Sequence, residues 1–395
     1  MNKKEIKEFF RERFPNIAFL RKAVTRKRIQ RFCAPMLTAD SVRCGEADFS
    51  QKERLVEECL AKHPEFVKYT KKTIDYLFER APEYAGRTDK EHVRIDMLFC
   101  RYAYGFQPDE YLCFNLKNKN MEERKAFVSD IDRFCFIYKM NDLFEMPLFN
   151  NKARTYAFFK QYYKRDAIAI HSRKDYGAFQ DYVSNHPVFV KKAVYESMGR
   201  SIELVDTNTC GKTKEQLFNE WISQGLHILE ERVVQSPILA ALNSSSVNTV
   251  RCITMNTRSG IKVAYCFFKV GRNGSFVDNA GAGGIVVGIN PDTGVCETEG
   301  FDELYNTYKK HPESGVAFKG FRLPAWNDMI ALCKEMSAQT PKVKCIGWDM
   351  AYTEEERWVV IEGNGMTQMI IPQIVYQRGI KSEVMEYLQD MDLMA

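Results

Sequence analysis

Apolar side chains in the first 145 residues recur with the period of a helix. Residues 52–60 and 67–80 place them three and four positions apart, so each segment has one apolar face. The segment Gln107-Pro108-Asp109 interrupts the pattern, which resumes after Asn120. The pattern therefore predicts a mainly helical region over residues 1–145.

After Pro147, short apolar runs of strand length alternate with helical segments. Helical spacing marks residues 150–165, 176–184, 213–224 and 324–337. Strand-like runs occupy residues 167–170, 187–191, 227–233, 248–256, 261–270, 285–289, 343–352 and 357–362. A turn at 257–260 joins two of these runs into a hairpin, and another at 290–294 ends the run before it. Antiparallel hairpins mixed with separate helices indicate an α+β fold.

Composition places the chain among globular proteins with a large core. It has 395 residues, of which 45% are hydrophobic, enough for two or three domains. No run approaches the roughly 20 apolar residues that span a bilayer, and the N-terminus lacks the apolar stretch of a signal peptide. The 12 cysteines form no CxxC pair and the six histidines are dispersed, so we expect reduced core thiols and no zinc site. A cytoplasmic location is predicted.

The net charge of +5 is unevenly distributed. Residues 1–31 carry eleven Lys or Arg and three Glu, a local charge of +8, which leaves about −3 for the remainder. Apolar side chains at Phe9, Phe10, Phe14, Ile17 and Leu20 interleave with these bases. Two interpretations stay open: weak peripheral association with an anionic membrane at its inner face, or a basic helix docked on its own protein. Without a nucleic-acid recognition motif, we expect no nucleic acid partner.

A late hairpin carries the most informative chemistry. With its loop centred between Glu355 and Glu356, Asp349 stands directly opposite Glu362, with Cβ atoms about 5 Å apart. Asn364 lies two residues further on and shares that face. Opposed carboxylates repel each other unless a cation lies between them, and two carboxylates with an amide oxygen suit Mg²⁺. The alternatives are acids that face solvent, or an odd-length loop without a bulge, which would put them on opposite faces.

These residues carry a family resemblance. Asp349 followed thirteen residues later by Glu362-x-Asn364 resembles the ATP-grasp superfamily, and the wider pattern resembles its sugar-transfer-associated family, found among polysaccharide biosynthesis genes. The matching pieces are Ser246–Arg251, Asp278-Asn279 with Gly283-Gly284, and Gly347–Asp349 with Glu362–Asn364. The resemblance covers roughly residues 105–380.

The resemblance implies an architecture and a set of cofactors. Two α+β lobes with antiparallel sheets would grip ATP, the first over residues 146–235 and the second over 236–395, preceded by the helical region 1–145. Two Mg²⁺ ions bridging the ATP phosphates would be held by Asp349, Glu362 and Asn364.

The resemblance also implies residues for the phosphates. Lys152, at the start of a helix, and Lys191, at the end of a strand, resemble the two phosphate-binding lysines, although Lys192 is an alternative to the second. A loop containing Ser197 and Gly199 would cover the phosphates through backbone N–H groups. It departs from the family in having a single glycine, which puts loop closure and full activity in doubt.

The adenosine and transfer sites are implied in the same way. Backbone groups around Glu230, Glu231 and Val233 would pair with adenine, and Gln235 would meet the ribose; the alternative for the two acids is a solvated strand end. The residues expected to hold the transferring phosphoryl group or the acceptor are Arg251, Arg272 and Asn279. The glycines after Asn279 have an alternative role, which is only to make a tight turn.

The implied reaction is ATP-dependent ligation of a carboxylate and an amine through an acyl phosphate. The family context suggests that a small-molecule or sugar-linked substrate, destined for a surface polysaccharide, supplies one of these groups. Two alternatives stay open, namely an ATP-grasp phosphotransferase acting on a sugar and a non-catalytic MgATP-binding module, which the glycine-poor loop suggests. Glycosyl transfer would need a nucleotide-sugar site, for which the sequence has no motif.

Overall fold

A computed structural model describes most of the chain. It covers residues 35–84, 86–195 and 201–394, with side chains omitted for 64–70, and a few residues nearer the start, namely Ile6, Phe10, 12–15, Ile17, Leu20 and Val24. Most of the basic segment 1–31 lies outside the described residues, so its association with a membrane stays a prediction. Among the described residues, no helix is both long and apolar enough to cross a membrane.

The predicted helical region is present in the described part of residues 35–145. Its α-helices are α1 Ala39–Ala47, α2 Phe49–Lys62, α3 Pro64–Arg80, α4 Lys90–Tyr104, α5 Pro108–Cys113, α6 Met121–Lys125 and α7 Asp130–Met140. Side-chain caps set several starts: Thr38 accepts the N–H of Ser41 before α1, and Asp48 accepts that of Ser50 before α2. Gly105, in the left-handed conformation, ends α4.

A four-stranded antiparallel sheet follows. Its strands are β1 Ala167–Ile170, β2 Val188–Ala193, β3 Ile202–Asp206 and β4 His227–Glu231, in the order β1-β4-β2-β3. The helices of this lobe are α8 Lys152–Tyr163, α9 Tyr176–Asn185 and α10 Lys214–Gln224. Helices α9 and α10 cover one face of the sheet through a cluster of buried aromatic side chains, which includes Phe179, Phe189, Phe218 and Trp221.

The second sheet has seven antiparallel strands. They are β5 Thr249–Thr257, β6 Gly260–Val270, β7 Ile285–Ile289, β8 Cys296–Phe301, β9 Thr307–Tyr308, β10 Cys345–Tyr352 and β11 Trp358–Asn364, in the order β11-β10-β5-β6-β7-β8-β9. Its accompanying helices are α11 Pro237–Ala240, α12 Trp326–Ala338, α13 Ile370–Tyr376 and α14 Lys381–Asp390. Helices and antiparallel sheets in this arrangement confirm the predicted α+β class.

The two faces of the second sheet pack into different hydrophobic cores. Trp348 and Cys252 lie in one core with Phe159 of α8 and Met329 of α12. Residues of the other face lie in a core with the N-terminal helices and with α13 and α14. The helices before residue 145 and the second sheet are therefore built on one shared core. Strands β5, β6 and β10 are therefore packed on both faces, and they carry Arg251, Lys269 and Asp349 of the candidate site.

Candidate functional site

The β10–β11 hairpin brings the predicted metal ligands to one face. Asp349 pairs directly with Glu362, and Gly347 pairs with Asn364, which confirms the predicted pairing of the two acids. The predicted loop centre is wrong, however, because Tyr352 pairs with Trp358 across an odd-length loop, residues 353–357. A β-bulge after Asp349 absorbs the difference and returns the two carboxylates to the same face.

The Asp349 side chain is buried and contacts two positively charged side chains. Arg251, its partner on β5, donates two hydrogen bonds to the carboxylate oxygens, at 2.7 and 2.8 Å. Lys269 Nζ lies 3.0 Å from the same carboxylate. Burial alone would raise the pKa of Asp349, but these two cations outweigh it and lower the pKa to about 2. Asp349 is therefore ionised at neutral pH, as a metal ligand must be.

Lys269 was not anticipated from the sequence. It lies opposite Thr249 on the neighbouring strand, and its Nζ is 3.8 Å from Asp278 as well as close to Asp349. Asp278 accepts hydrogen bonds from the N–H and the hydroxyl of Thr249, while burial raises the pKa of its carboxyl. One signal was present: Lys269 interrupts an apolar strand run, and a charge buried in a strand needs partners.

Glu362 is the more accessible acid, with about one third of its side chain exposed. Lys152, the first residue of α8, places its Nζ 3.8 Å from a Glu362 oxygen. The helix begins there because the Asn151 side chain accepts the N–H of Arg154. The predicted lysine of the first lobe and the predicted metal ligand of the second therefore face each other.

The structure separates Lys191 from Lys192. Lys191 reaches Glu203 on β3 at 2.7 Å and lies 5.0 Å from the Trp221 ring, on the face covered by helices. Lys192 points the other way, and its Nζ lies 3.0 Å from Glu230. Burial lowers the pKa of Lys192. The expectation that Lys191 faces the cleft is thus wrong, because successive strand residues point to opposite faces, and the alternative Lys192 takes that position.

The acids at the end of β4 do not face solvent as a pair. Glu230 is buried, accepts hydrogen bonds from Arg165 at 2.6 and 3.2 Å, and lies beside Lys192. Its pKa is lowered to about 2, because Lys192 and Arg165 outweigh the effect of burial. Arg165 also donates to the carbonyl oxygen of Val360 on β11 at 2.7 Å, which ties the two lobes together.

The chain leaves β4 through Glu231 and half-buried Val233. The Gln235 side chain does not take the position expected for a ribose contact. Its amide donates to the carbonyl oxygens of Asn243 and Ser246, and its Oε1 accepts the N–H of Asn248. These hydrogen bonds use both ends of the amide within the fold, so we assign Gln235 to holding the segment before β5.

Arg272 and Asn279 form hydrogen bonds around the glycine-rich turn. Arg272 donates to the Gly283 carbonyl oxygen and to the Asp302 carboxylate. The Asn279 carbonyl oxygen accepts the N–H groups of Ala282 and Gly284, so it organises the glycine-rich turn. At Gly284 a Cβ atom would lie 2.3 Å from the Asp278 carbonyl oxygen, which favours the tight-turn interpretation of these glycines. Ser197 and Gly199 lie outside the described residues.

The family model described as sugar-transfer-associated ATP-grasp matches residues 132–389. Among curated proteins, no match is found.

Several solved structures match part of this chain. D-alanyl-alanine synthetase A from Vibrio cholerae has a TM-score of 0.40 at 10% identity, over 64% of this chain and 68% of that one. The D-alanine-D-alanine ligase from Coxiella burnetii has a TM-score of 0.38 at 11% identity, over 64% of this chain and 60% of that one. The ATP-grasp ligase PsnB, in complex with a precursor variant, Mg and ADP, has a TM-score of 0.40 at 9% identity, over 67% of each chain.

Proposed function

This chain belongs to the sugar-transfer-associated ATP-grasp family, and we propose that it is an ATP-dependent carboxylate–amine ligase. ATP-grasp enzymes in general use ATP with Mg²⁺. The observation that carries the proposal is that positively charged lysines of the first lobe lie close to carboxylates of the second. Lys152 Nζ of the first lobe lies 3.8 Å from Glu362 of the second; burial lowers the pKa of Lys192, and the Glu362 charge opposes this shift.

The residues present fit a magnesium site. Asp349, Glu362 and Asn364 offer oxygen ligands on one face of a hairpin, which is the donor set that Mg²⁺ prefers. A carboxylate has about four acceptor positions, and the two cations beside Asp349 use three of them, which leaves one for a metal. Bound there, Mg²⁺ would neutralise phosphate charge.

In the proposed reaction, the protein positions the reactants and balances their charge. A substrate carboxylate oxygen attacks the γ-phosphorus and ADP departs, which gives an acyl phosphate. An amine nitrogen then attacks the acyl carbon, phosphate departs, and the nitrogen loses a proton. Lys152 and Lys192 would hold phosphate oxygens, while Arg251 and Lys269 keep Asp349 ionised and oriented. No side chain needs to act as a covalent nucleophile.

The substrate proposal is narrower and rests on the family description. We propose a sugar-linked or other small carboxylate and an amine as the two substrates, joined for a surface polysaccharide. The acceptor end would lie near Arg272, whose guanidinium is presented beside the glycine-rich turn at 279–284. A cytoplasmic location, peripheral to an anionic membrane, remains the corresponding prediction for residues 1–31.

A substrate screen tests the ligase proposal. We expect ADP and phosphate to form only when a sugar acid or amino acid is supplied together with an amine, with Glu362→Gln as the inactive control. Phosphate transferred to a sugar hydroxyl without any amine would replace the ligase by the phosphotransferase. Tight ADP binding without turnover on any pair would instead support the non-catalytic MgATP-binding module.

The two neighbouring lysines provide a matched pair of variants. Lys192→Met should weaken ADP binding by about tenfold or more, because a charge-assisted contact with phosphate is lost. Lys191→Met should leave ADP affinity within about twofold, because its ammonium lies on the other face beside Glu203. Calorimetric titration of both variants with MgADP measures the difference. A larger loss for Lys191→Met would show that the sheet is oriented differently in the nucleotide complex.

A further inference from the structure

A second cluster of ligating side chains lies where the first lobe connects to the second. Asp166 immediately precedes β1, His186 follows α9, and Glu231 ends β4. One ligand atom from each lies within 4.8 Å of the other two, and among the described residues this is the group of three or more that could hold a metal ion. Asp166 Oδ2 is 3.3 Å from His186 Nε2, and Glu231 Oε1 is 4.0 Å from His186 Nδ1.

The cluster is preorganised by its backbone. The Glu231 N–H donates to the Asp166 carbonyl oxygen at 2.8 Å, and the Asp166 N–H donates to Glu231 Oε2 at 3.0 Å. His186 is anchored by its own N–H, which donates to the Tyr182 carbonyl oxygen at 2.8 Å. The two acids are thus held close to each other although their charges repel.

A buried hydroxyl gives independent support. Tyr182 is 5% exposed, its ring centroid lies 4.9 Å from that of His186, and in the described part of the chain its hydroxyl has no hydrogen-bond partner. Burial raises the pKa of Tyr182, and the nearby charges of Glu230, Glu231 and Asp166 raise it further. A water molecule on a cation beside these carboxylates would donate a hydrogen bond to this oxygen, which buried polar groups ordinarily require.

The cluster is also accessible. A cavity of about 660 Å³ adjoins it and is lined by Lys160, Gln161, Lys164, Arg165, Asp166 and Glu231. An ion and its water ligands could enter from this side. Glu231 pairs with Phe189 on the helix-covered side of the sheet, whereas the neighbouring Glu230 points to Lys192.

We propose that Asp166, His186 and Glu231 bind a divalent transition-metal ion of the zinc class, distinct from the proposed magnesium site. One imidazole nitrogen with two carboxylates suits zinc, whereas Mg²⁺ selects oxygen ligands alone. The ligands come from residues up to 65 positions apart, so the dispersed histidines of the sequence contained no sign of the site. The ion joins the segment that enters the first lobe to the segment that leaves it, and it stiffens this junction.

The test uses the full chain, stripped with a chelator and titrated with ZnCl₂ in the presence of a large molar excess of Mg²⁺. We expect saturable binding of one ion by calorimetry and a rise in the melting temperature of about 3 °C. His186→Ala should weaken this binding at least about 100-fold, since loss of a supporting partner alone costs 10–100-fold. His171→Ala, a partly exposed histidine of the same lobe, should bind zinc as the parent does.

Two further variants separate ligand loss from misfolding. Asp166→Asn keeps the shape of an exposed side chain and should weaken zinc binding as His186→Ala does, with an unchanged circular dichroism spectrum. Tyr182→Phe removes only the hydroxyl and should weaken binding by about tenfold. Glu362→Gln should leave zinc binding unchanged, whatever its effect on turnover. Absence of saturable binding by the parent, equal displacement by Mg²⁺, or full affinity in both His186→Ala and Asp166→Asn would overturn the proposal.

Discussion

Glu362→Gln is expected to lower turnover at least about 100-fold while ADP affinity stays within about tenfold of the parent. The substitution keeps the shape of the side chain and removes one negative charge from the proposed metal site. We expect the adenine and ribose contacts to come from other segments and to contribute equally to the ground state and the transition state. Charge on the phosphate oxygens redistributes during transfer, so the stabilisation that a metal supplies grows toward the transition state.

The measurement pairs two assays on the same protein. Calorimetry with MgADP reports binding, and ADP formation with the acid and amine found in the screen reports turnover. Glu354→Gln is the matched control, because this acid lies in the exposed loop of the same hairpin and should leave both quantities unchanged. Normal turnover in Glu362→Gln would mean that the hairpin is not the catalytic metal site.

Asp349→Asn is expected to reduce the free energy of unfolding by about 3 kcal/mol or more at pH 7. The substitution leaves buried Arg251 without its carboxylate partner and leaves Lys269 with Asp278 alone, 3.8 Å away. Removing one member of a buried ion pair costs far more than the pair contributes, because the remaining charge stays desolvated. Glu362→Gln serves as the control, since its pair with Lys152 is partly exposed and worth at most about 1 kcal/mol. Urea unfolding of the three proteins measures these differences.

The same variant has a defined pH dependence. The pKa of Asp349 is about 2 in the folded protein, against about 3.9 for a free aspartate. A lowered carboxyl pKa stabilises the fold above the unfolded value, and that stabilisation is lost as pH falls toward the folded value. The advantage of the parent over Asp349→Asn should therefore shrink to about half by pH 3. A difference that stays constant between pH 6 and pH 3 would show that Asp349 is not held ionised by its partners.

Elements bounded by strong local signals were predicted closely. The boundaries of β1 and β7 agree with the predicted runs 167–170 and 285–289, because each is a short apolar run that ends in turn residues. The strand β3 was not predicted, because it is half exposed and its apolar positions do not alternate cleanly. The same holds for β8, where Glu297, Thr298 and Glu299 interrupt the apolar pattern. Pairing with a neighbouring strand, which is not local, makes these segments strands.

In the candidate site, too, local signals predicted some features and missed those that depend on distant parts of the chain. The pairing of Asp349 with Glu362 was predicted from spacing, yet it depends on a bulge that no local sequence signal announced. The choice between Lys191 and Lys192 stayed open, because the strand period shows that they face opposite sides but not which side is the cleft. Gln235 was expected to be free for a ligand, whereas loop carbonyl groups more than seven positions away use its amide.

By itself, the sequence determined the α+β class, the acid pair of the hairpin and the family resemblance, because turn chemistry, backbone period and residue type act over a few neighbouring positions. Only the tertiary structure decided which charges meet. Arg251 reaches Asp349 across 98 positions, and Lys152 lies beside Glu362, which is still further along the chain. Such pairs depend on burial and on the packing of whole sheets, since a buried charge is stable only where the fold places an oppositely charged or hydrogen-bonding group beside it.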